Sequence, residues 1–408
     1  MRQACRRGKR NVRIKGLDRN TVGHDRIRVL FAIGSLAGGG SERQVIEILR
    51  HLDRARFAPL LYLVYRDGPL LAEVPDDVPV FAFSDRSTSP RASFPGRIHG
   101  LQVDDLCQVL RDQHVDVIYD RTWHMTLIAG PAARRASVPR VSVVVSNPRR
   151  DLADNLSRFA FAKRWLLRRA YRQAFRVVAV SEGVRLAVID EYRLPADRVQ
   201  TIYNVLDLDR LDRLAGAGEP DCDGSRFQIV AAGRLQFAKG YRYLLEALDE
   251  LVNRRGRRQL LLHILGEGPL EAELKEFVAA HRLEQHVRFA AHVPNPYPYF
   301  RRAQLFCLPS LYEGMPNALI EALACRVQVL ATDCPNGPRE ILAGGKHGRL
   351  VPPADAMALA DAIDAVLLDH MQGRGLVTDA RRHVEETFSV SAGMARLESL
   401  LLSAARGS

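Results

Sequence analysis

The chain is 408 residues long, with a formal net charge of +12 at pH 7, 47% hydrophobic residues and 26% charged ones. That length accommodates two domains with full cores, and the composition is that of an ordinary soluble globular protein. No apolar run approaches the roughly 20 residues of a membrane span, so the chain is not expected to cross a bilayer.

The opening "MRQACRRGKRNVRIKGLDRN" carries eight Lys/Arg against one Asp. With little to bury, residues 1–26 read as a disordered basic arm, and the lack of an apolar h-region argues against a secretory signal. "IRVLFAIG" (27–34) is a buried strand, and "SLAGGGSERQVIEILRHL" follows as a Gly-rich loop feeding an amphipathic helix. Glycines 38–40 let the backbone approach a ligand or the other domain closely, or mark a mere turn. The loop is not G-x-G-x-x-G, and no acidic residue closes a ribose site about 20 residues on, which disfavours a redox dinucleotide. "VDVIYD", "VSVVVS" and "RVVAVS" are further strands of this half.

Between the last two, "SRFAFAKRWLLRRAYRQAFR" (157–176) interleaves Arg and Lys with aromatic and aliphatic residues at helical spacing. Two readings stand: a core-packed helix with a solvated basic face, or a helix lying on an anionic membrane surface. Nucleic acid is not expected as a partner. "LDRLAGAGEPDCDGS" (211–225) reads as a linker. "DLD" (207–209) and "DCD" (221–223) copy a metal-binding D-x-D, but their place around the linker makes them solvated turns, and no metal is implied. The six cysteines, at 5, 107, 222, 307, 325 and 334, show no C-x-x-C spacing and fit a reducing cytoplasm.

The second half opens as the first does. "FQIVAAGRL" (227–235) is a buried strand, followed by "QFAKGYRYLLEALDELV" as loop and helix. Arg234 and Lys239, two cations at a strand's carboxyl end, suit a diphosphate, Arg as a fork and Lys as a point charge. Two solvated loop cations are the alternative. No Walker sequence is present, so NTP hydrolysis is not expected. "QLLLHILG", "VRFAAHV", "LFCLPS" and "VQVLATD" supply more strands. The fold class is therefore α/β, two Rossmann-like doubly wound domains (27–210 and 226–387) facing a cleft, with ligands at the strands' carboxyl ends.

"LYEGMPNALIEALA" (311–324) places two glutamates eight positions apart. Pro316, comfortable at the first helical position, predicts a helix starting there, with Glu313 in the loop before it and Glu321 within it. A helix start binds anions, and a carboxylate on either side of it could hold the two ends of an extended ligand. The bland alternative is a loop glutamate and a solvent-facing helix glutamate.

Over nearly all of residues 27–400 the chain resembles the retaining GT-B glycosyltransferases of family 4. The resemblance rests on "GGGSERQ", "GRLQFAKG", "ILGEGPLEAEL", "HVPNPYPYFRRAQLFCLPSLYEGMPNALIEALA" and "DCPNGPREIL". It looks like bacterial members that use UDP-sugars, often UDP-N-acetylhexosamines, to build surface glycans. It implies that Glu313 contacts the donor sugar, Glu321 the ribose, and Arg234 and Lys239 the diphosphate. Uracil falls near Val293, and the donor phosphates near Gly39, Gly40 and the segment Gly314, Met315, Asn317 and Ala318. His124 is the best match for a histidine that reaches the sugar. The expected partners are a UDP-sugar donor, a lipid-linked or glycan acceptor and the anionic inner face of the membrane, with no cofactor. A helix at 388–408 is expected to pack back on the first domain. Arg326 and Gln328 stand where the resemblance leads one to expect Gly and Pro, so the turn after the E-x7-E helix is expected to be strained or rebuilt. His263, His292 and His347 receive no role. A nucleotide-sugar epimerase, a phosphorylase or a non-catalytic scaffold on the same fold are the rival readings.

Overall fold

The computed structural model describes residues 26–86, 96–149, 160–218, 220, 224–291, 293–372 and 379–407. The basic arm (residues 1–25 of it), Arg158, the 221–223 acidic triplet and His292 lie outside the described residues. In the first half the apolar runs become seven parallel strands: β1 (Ile27–Ile33), β2 (Phe57–Leu63), β3 (Val80–Ala82), β4 (Val117–Arg121), β5 (Arg140–Val144), β6 (Arg176–Ala179) and β7 (Val199–Thr201). In the second half six do so: β8 (Phe227–Ala232), β9 (Leu260–Leu265), β10 (Val287–Ala290), β11 (Leu305–Leu308), β12 (Gln328–Thr332) and β13 (Arg349–Val351). These runs are continuously apolar rather than alternating because helices cover both faces of each sheet.

The strand orders are β3-β2-β1-β4-β5-β6-β7 and β10-β9-β8-β11-β12-β13. Each sheet thus starts at an inner strand, runs outward, and then reverses across it. The reversal leaves a crevice beyond the carboxyl ends of β1 and β4 in one sheet and of β8 and β11 in the other. Those four strand ends carry the loops, and the helices they open, in which the sequence places its candidate residues, apart from Val293, which follows β10.

The helices that matter below are α1 (Gly40–His51), α2 (Trp123–Ala136), α3 (Ala160–Gln173), α4 (Glu182–Tyr192), α5 (Leu208–Ala215), α6 (Asn317–Ala324) and α7 (Val390–Arg406). α7 buries Met394, Leu397, Leu401 and Ala404 and lies against α1, β1, β4 and β5. The crossing back is fixed by Leu206 N–H donating to Phe388 O at 2.8 Å.

Two local expectations change. The stretch expected as linker from 211 begins as helix α5, because Leu211 and Ala215 present a buried apolar stripe and Asp207 caps the helix by accepting from Arg210 N at 2.8 Å. The "DLD" aspartate is thus a helix cap rather than a solvated turn. Helix α6 starts at Asn317, one residue later than expected. Pro316 has ψ of 102° and serves as its N-cap.

The end of α6 carries the strain the sequence suggested. Arg326 sits in the left-handed region with φ of 63°, a conformation glycine adopts without penalty. Arg326→Gly is expected to raise thermal stability by up to about 1 kcal/mol. A melting temperature unchanged or lowered in the variant would show that the arginine side chain compensates for its backbone.

Candidate active site

The loops after β8 and β11 meet. Lys239 Nζ donates to Glu313 Oε1 at 2.6 Å, and Ser310 Oγ donates to the same oxygen at 2.6 Å. The pair is largely withdrawn from water, with side chains 20% and 9% exposed, so the attraction is stronger than at a surface. Charge at Glu313 raises neighbouring groups: burial, and then this carboxylate, push the Cys334 thiol up to about 12. Arg234 stands exposed in the same loop with no ion pair among the described residues. A lysine held by a carboxylate and an unengaged arginine together form a clamp that a diphosphate can enter by exchanging partners.

Glu321 is 7% exposed, which removes the solvent-facing alternative for the second glutamate. Its carboxyl is held above the usual range by burial, against the opposing pull of the Arg43 guanidinium; Glu47 adds to the rise and a hydrogen bond from Tyr297 lowers it. A buried acceptor with partial compensation is suited to hydroxyl donors of a ligand.

Two helix starts face each other across the cleft. α1 begins at Gly40 with Gly39 as its N-cap, and Asn317, the first residue of α6, donates from Nδ2 to Gly40 O at 3.2 Å. Both helix dipoles therefore direct their positive ends to one place. Met315 is buried and Ala318 half-buried beside them. Val293 is half-buried just past β10, packed on the apolar core.

Glycine is required where the halves touch. A Cβ on Gly314 would stand 1.9 Å from Val145 O of the opposite half. Gly314→Ala is expected to hold the cleft open and abolish most turnover. Each half should keep its fold, because the clash lies between them. Small-angle scattering and a melting curve check this; a compact, fully active variant would contradict it.

His124 is exposed in the first turn of α2, after β4. Its imidazole is kept below the usual range by partial desolvation, then by His99 and Lys163. Among the described residues no hydrogen bond or ion pair joins it to Glu313 or Lys239. The structure places it on the first-half side of the cleft, where Lys163 of α3 lies 3.3 Å above the Trp123 ring. Thr122, just before α2, takes φ of 79°. For a β-branched residue this costs about 1–3 kcal/mol, and such strain collects at working sites.

The sequence reading missed several residues. Glu340 accepts from Glu182 N and Gly183 N, both at 2.8 Å, and so caps α4 from the opposite half. Arg121 and Asn204 are buried polar residues at the same seam. Nothing local marks them, since the partners that draw them into the seam lie 83 to 158 positions away. Glu47, His51 and Asp207 also converge, with His51 Nε2 3.1 Å from Asp207 Oδ2. Arg50 and Arg210, each 3.3 Å from Glu47 Oε1, already neutralise that cluster.

Two parallel sheets of this order, with cations, carboxylates and helix starts gathered where they face, define the cleft of a GT-B fold. Sequence comparison agrees: residues 38–210 match the model of Glycosyltransferase Family 4, and residues 226–369 match that of Glycosyl transferases group 1. The chain is a GT-B glycosyltransferase. It is 25% identical over 339 residues to the N-acetylgalactosamine-N,N'-diacetylbacillosaminyl-diphospho-undecaprenol 4-alpha-N-acetylgalactosaminyltransferase of Campylobacter jejuni, covering 83% of this chain and 89% of that one. It is 27% identical to the D-inositol 3-phosphate glycosyltransferase of Pseudarthrobacter chlorophenolicus, covering 69% of each. In fold it matches Anabaena HepE in complex with UDP, with a TM-score of 0.74, 20% identity, and 92% and 100% of the two chains covered.

Proposed function

We propose that the enzyme moves a hexose or N-acetylhexosamine from a UDP-sugar to a lipid-linked or surface-glycan acceptor, with retention at the anomeric carbon. The observation that carries this reading is the Lys239–Glu313 pair at the end of β8 and β11, with buried Glu321 in the second turn of α6. In this reading Arg234, Lys239 and the two helix starts hold the diphosphate, Glu313 meets the sugar hydroxyls, Glu321 the ribose, and Val293 lies by the base. His124 approaches the sugar from the acceptor side. Catalysis is then positioning and leaving-group stabilisation. The acceptor hydroxyl attacks on the face the diphosphate leaves, and the departing phosphate oxygen takes its proton. The positive groups already present serve the departing charge, so no metal is assigned a role. The C. jejuni relative's name specifies a diphospho-undecaprenol acceptor, which favours a lipid-linked one here. Incubation with labelled UDP-, GDP- and ADP-sugars and membrane lipid extract tests donor and acceptor together. Label transferred from none of them into lipid or glycan would refute the reading.

A lipid acceptor calls for work at the cytoplasmic face of a membrane, and α3 offers the surface for it. Phe161, Trp165 and Leu166 are 82%, 54% and 46% exposed, while Leu167, Ala170 and Tyr171 form the buried stripe. The helix thus packs on the core through that stripe, while Trp165 and Leu166 stay outside it. Arg169 lies over the Trp165 ring at 5.8 Å, whereas Arg164 is taken up by Glu191 at 2.7 Å. Exposed aromatic residues bury in an interface, and nearby cations add about 1 kcal/mol each on an anionic leaflet. The protein is expected to float with anionic vesicles at low salt, to be released by high salt, and to bind less after Phe161→Ser with Trp165→Ser. Absence of flotation at low salt would point to a soluble acceptor.

A further inference from the structure

Arg121 closes β4 and is 3% exposed. Its guanidinium donates to Asn204 Oδ1 at 2.7 Å and reaches the Tyr119 hydroxyl at 3.4 Å. Its Nε is buried without a partner. Arg140 in the neighbouring strand is equally buried but is paired with Asp120 at 3.0 Å. One sheet thus neutralises one buried arginine and leaves the other with neutral partners only, among the described residues. Burying a cation in this way is costly, and the strained Thr122 follows it directly.

The hydrogen bonds from Arg121 run in one direction. Arg can only donate, so Asn204 must turn its oxygen toward it and its amide NH2 away. That NH2 donates to Asn317 Oδ1 at 2.7 Å. Asn317 is therefore fixed with its own NH2 toward Gly40 O. The polarity of one buried guanidinium thus propagates across the cleft and sets the contact between the first residues of α6 and α1. We infer that Arg121 is a positioning residue, holding the two helix starts in register through Asn204 and setting a standing positive charge behind the donor diphosphate. The inference rests on the reading of the cleft as a nucleotide-sugar site.

Asn204→Asp separates this role from a structural one. An aspartate there gives Arg121 the counterion it lacks, so the melting temperature should stay level or rise. It cannot donate to Asn317, however, and it cancels the charge behind the phosphates. UDP affinity by calorimetry should fall at least tenfold, while uridine, titrated by NMR, should bind as to the wild type. Arg121→Met should show the same split between the two ligands, and Arg121→Lys should restore part of the UDP affinity. UDP binding within twofold of wild type in Asn204→Asp would overturn the inference. So would an equal loss for UDP and uridine. A wild-type chain that binds none of UDP, GDP and ADP would overturn the reading of the cleft itself, and the inference with it.

Discussion

Lys239→Ala is expected to lower kcat/KM by roughly 30- to 150-fold, corresponding to about 2–3 kcal/mol for a lost charge-assisted phosphate contact. The fall should appear in both kcat and donor KM, because the diphosphate is bound in the ground state and gains charge as it leaves. The ion pair made by Lys239 adds a second consequence. Lys239 is the cation paired with Glu313, so its removal leaves a nearly buried carboxylate with only the Ser310 hydroxyl. Some thermal stability should therefore be lost along with activity. Lys239→Arg should recover stability better than turnover, since a guanidinium restores the ion pair but presents a different geometry to phosphate. Steady-state kinetics and melting curves on the same preparations check both effects. Wild-type turnover in the alanine variant would remove Lys239 from the site.

Nine of the thirteen strands and the four loops were legible in the sequence because a doubly wound half has a strong local signature: an apolar run, a glycine loop, then an amphipathic helix; β2, which contains Pro59, and the three-residue β3, β7 and β13 were not read. Lys239, Glu313 and Glu321 could be singled out as candidates because each sits a short, fixed distance from such a strand. What could not be read is the seam. Glu340, Arg121 and Asn204 gain meaning only when two sheets come together, and a buried arginine next to "TWH" has no one-dimensional mark. Helix α5 was missed for a different reason. The Gly- and Asp-rich composition beyond Ala215 outweighed three apolar residues whose partners lie in the other half. Burial also decided a point that spacing left open, for only the fold withdraws Glu321 from solvent while leaving Phe161 and Trp165 in it.

The two glutamates should separate cleanly in binding experiments. Glu321→Ala is expected to weaken UDP itself by roughly 10- to 150-fold, the equivalent of about 1.5–3 kcal/mol for hydrogen bonds to a charged acceptor. Glu313→Ala should spare UDP and damage binding and use of the complete sugar donor. Calorimetry with UDP and with the nucleotide sugar tells these apart; equal losses for both ligands in both variants would mean the two ends are assigned wrongly. Stability supplies an independent signature. Burial raises the Glu321 carboxyl above its ordinary value, so over that interval the folded chain keeps a proton that the unfolded chain has released. Its contribution to stability is therefore fully present below the ordinary glutamate range and is lost as pH climbs through the raised value. Glu321→Gln removes this loss. The glutamine variant should match or fall below the wild type in acid and gain on it as pH rises to neutrality, while binding UDP less well. A constant stability difference between the two from acid to neutral pH would show that Glu321 does not carry a raised pKa, and that Arg43 and Tyr297 balance its burial in full.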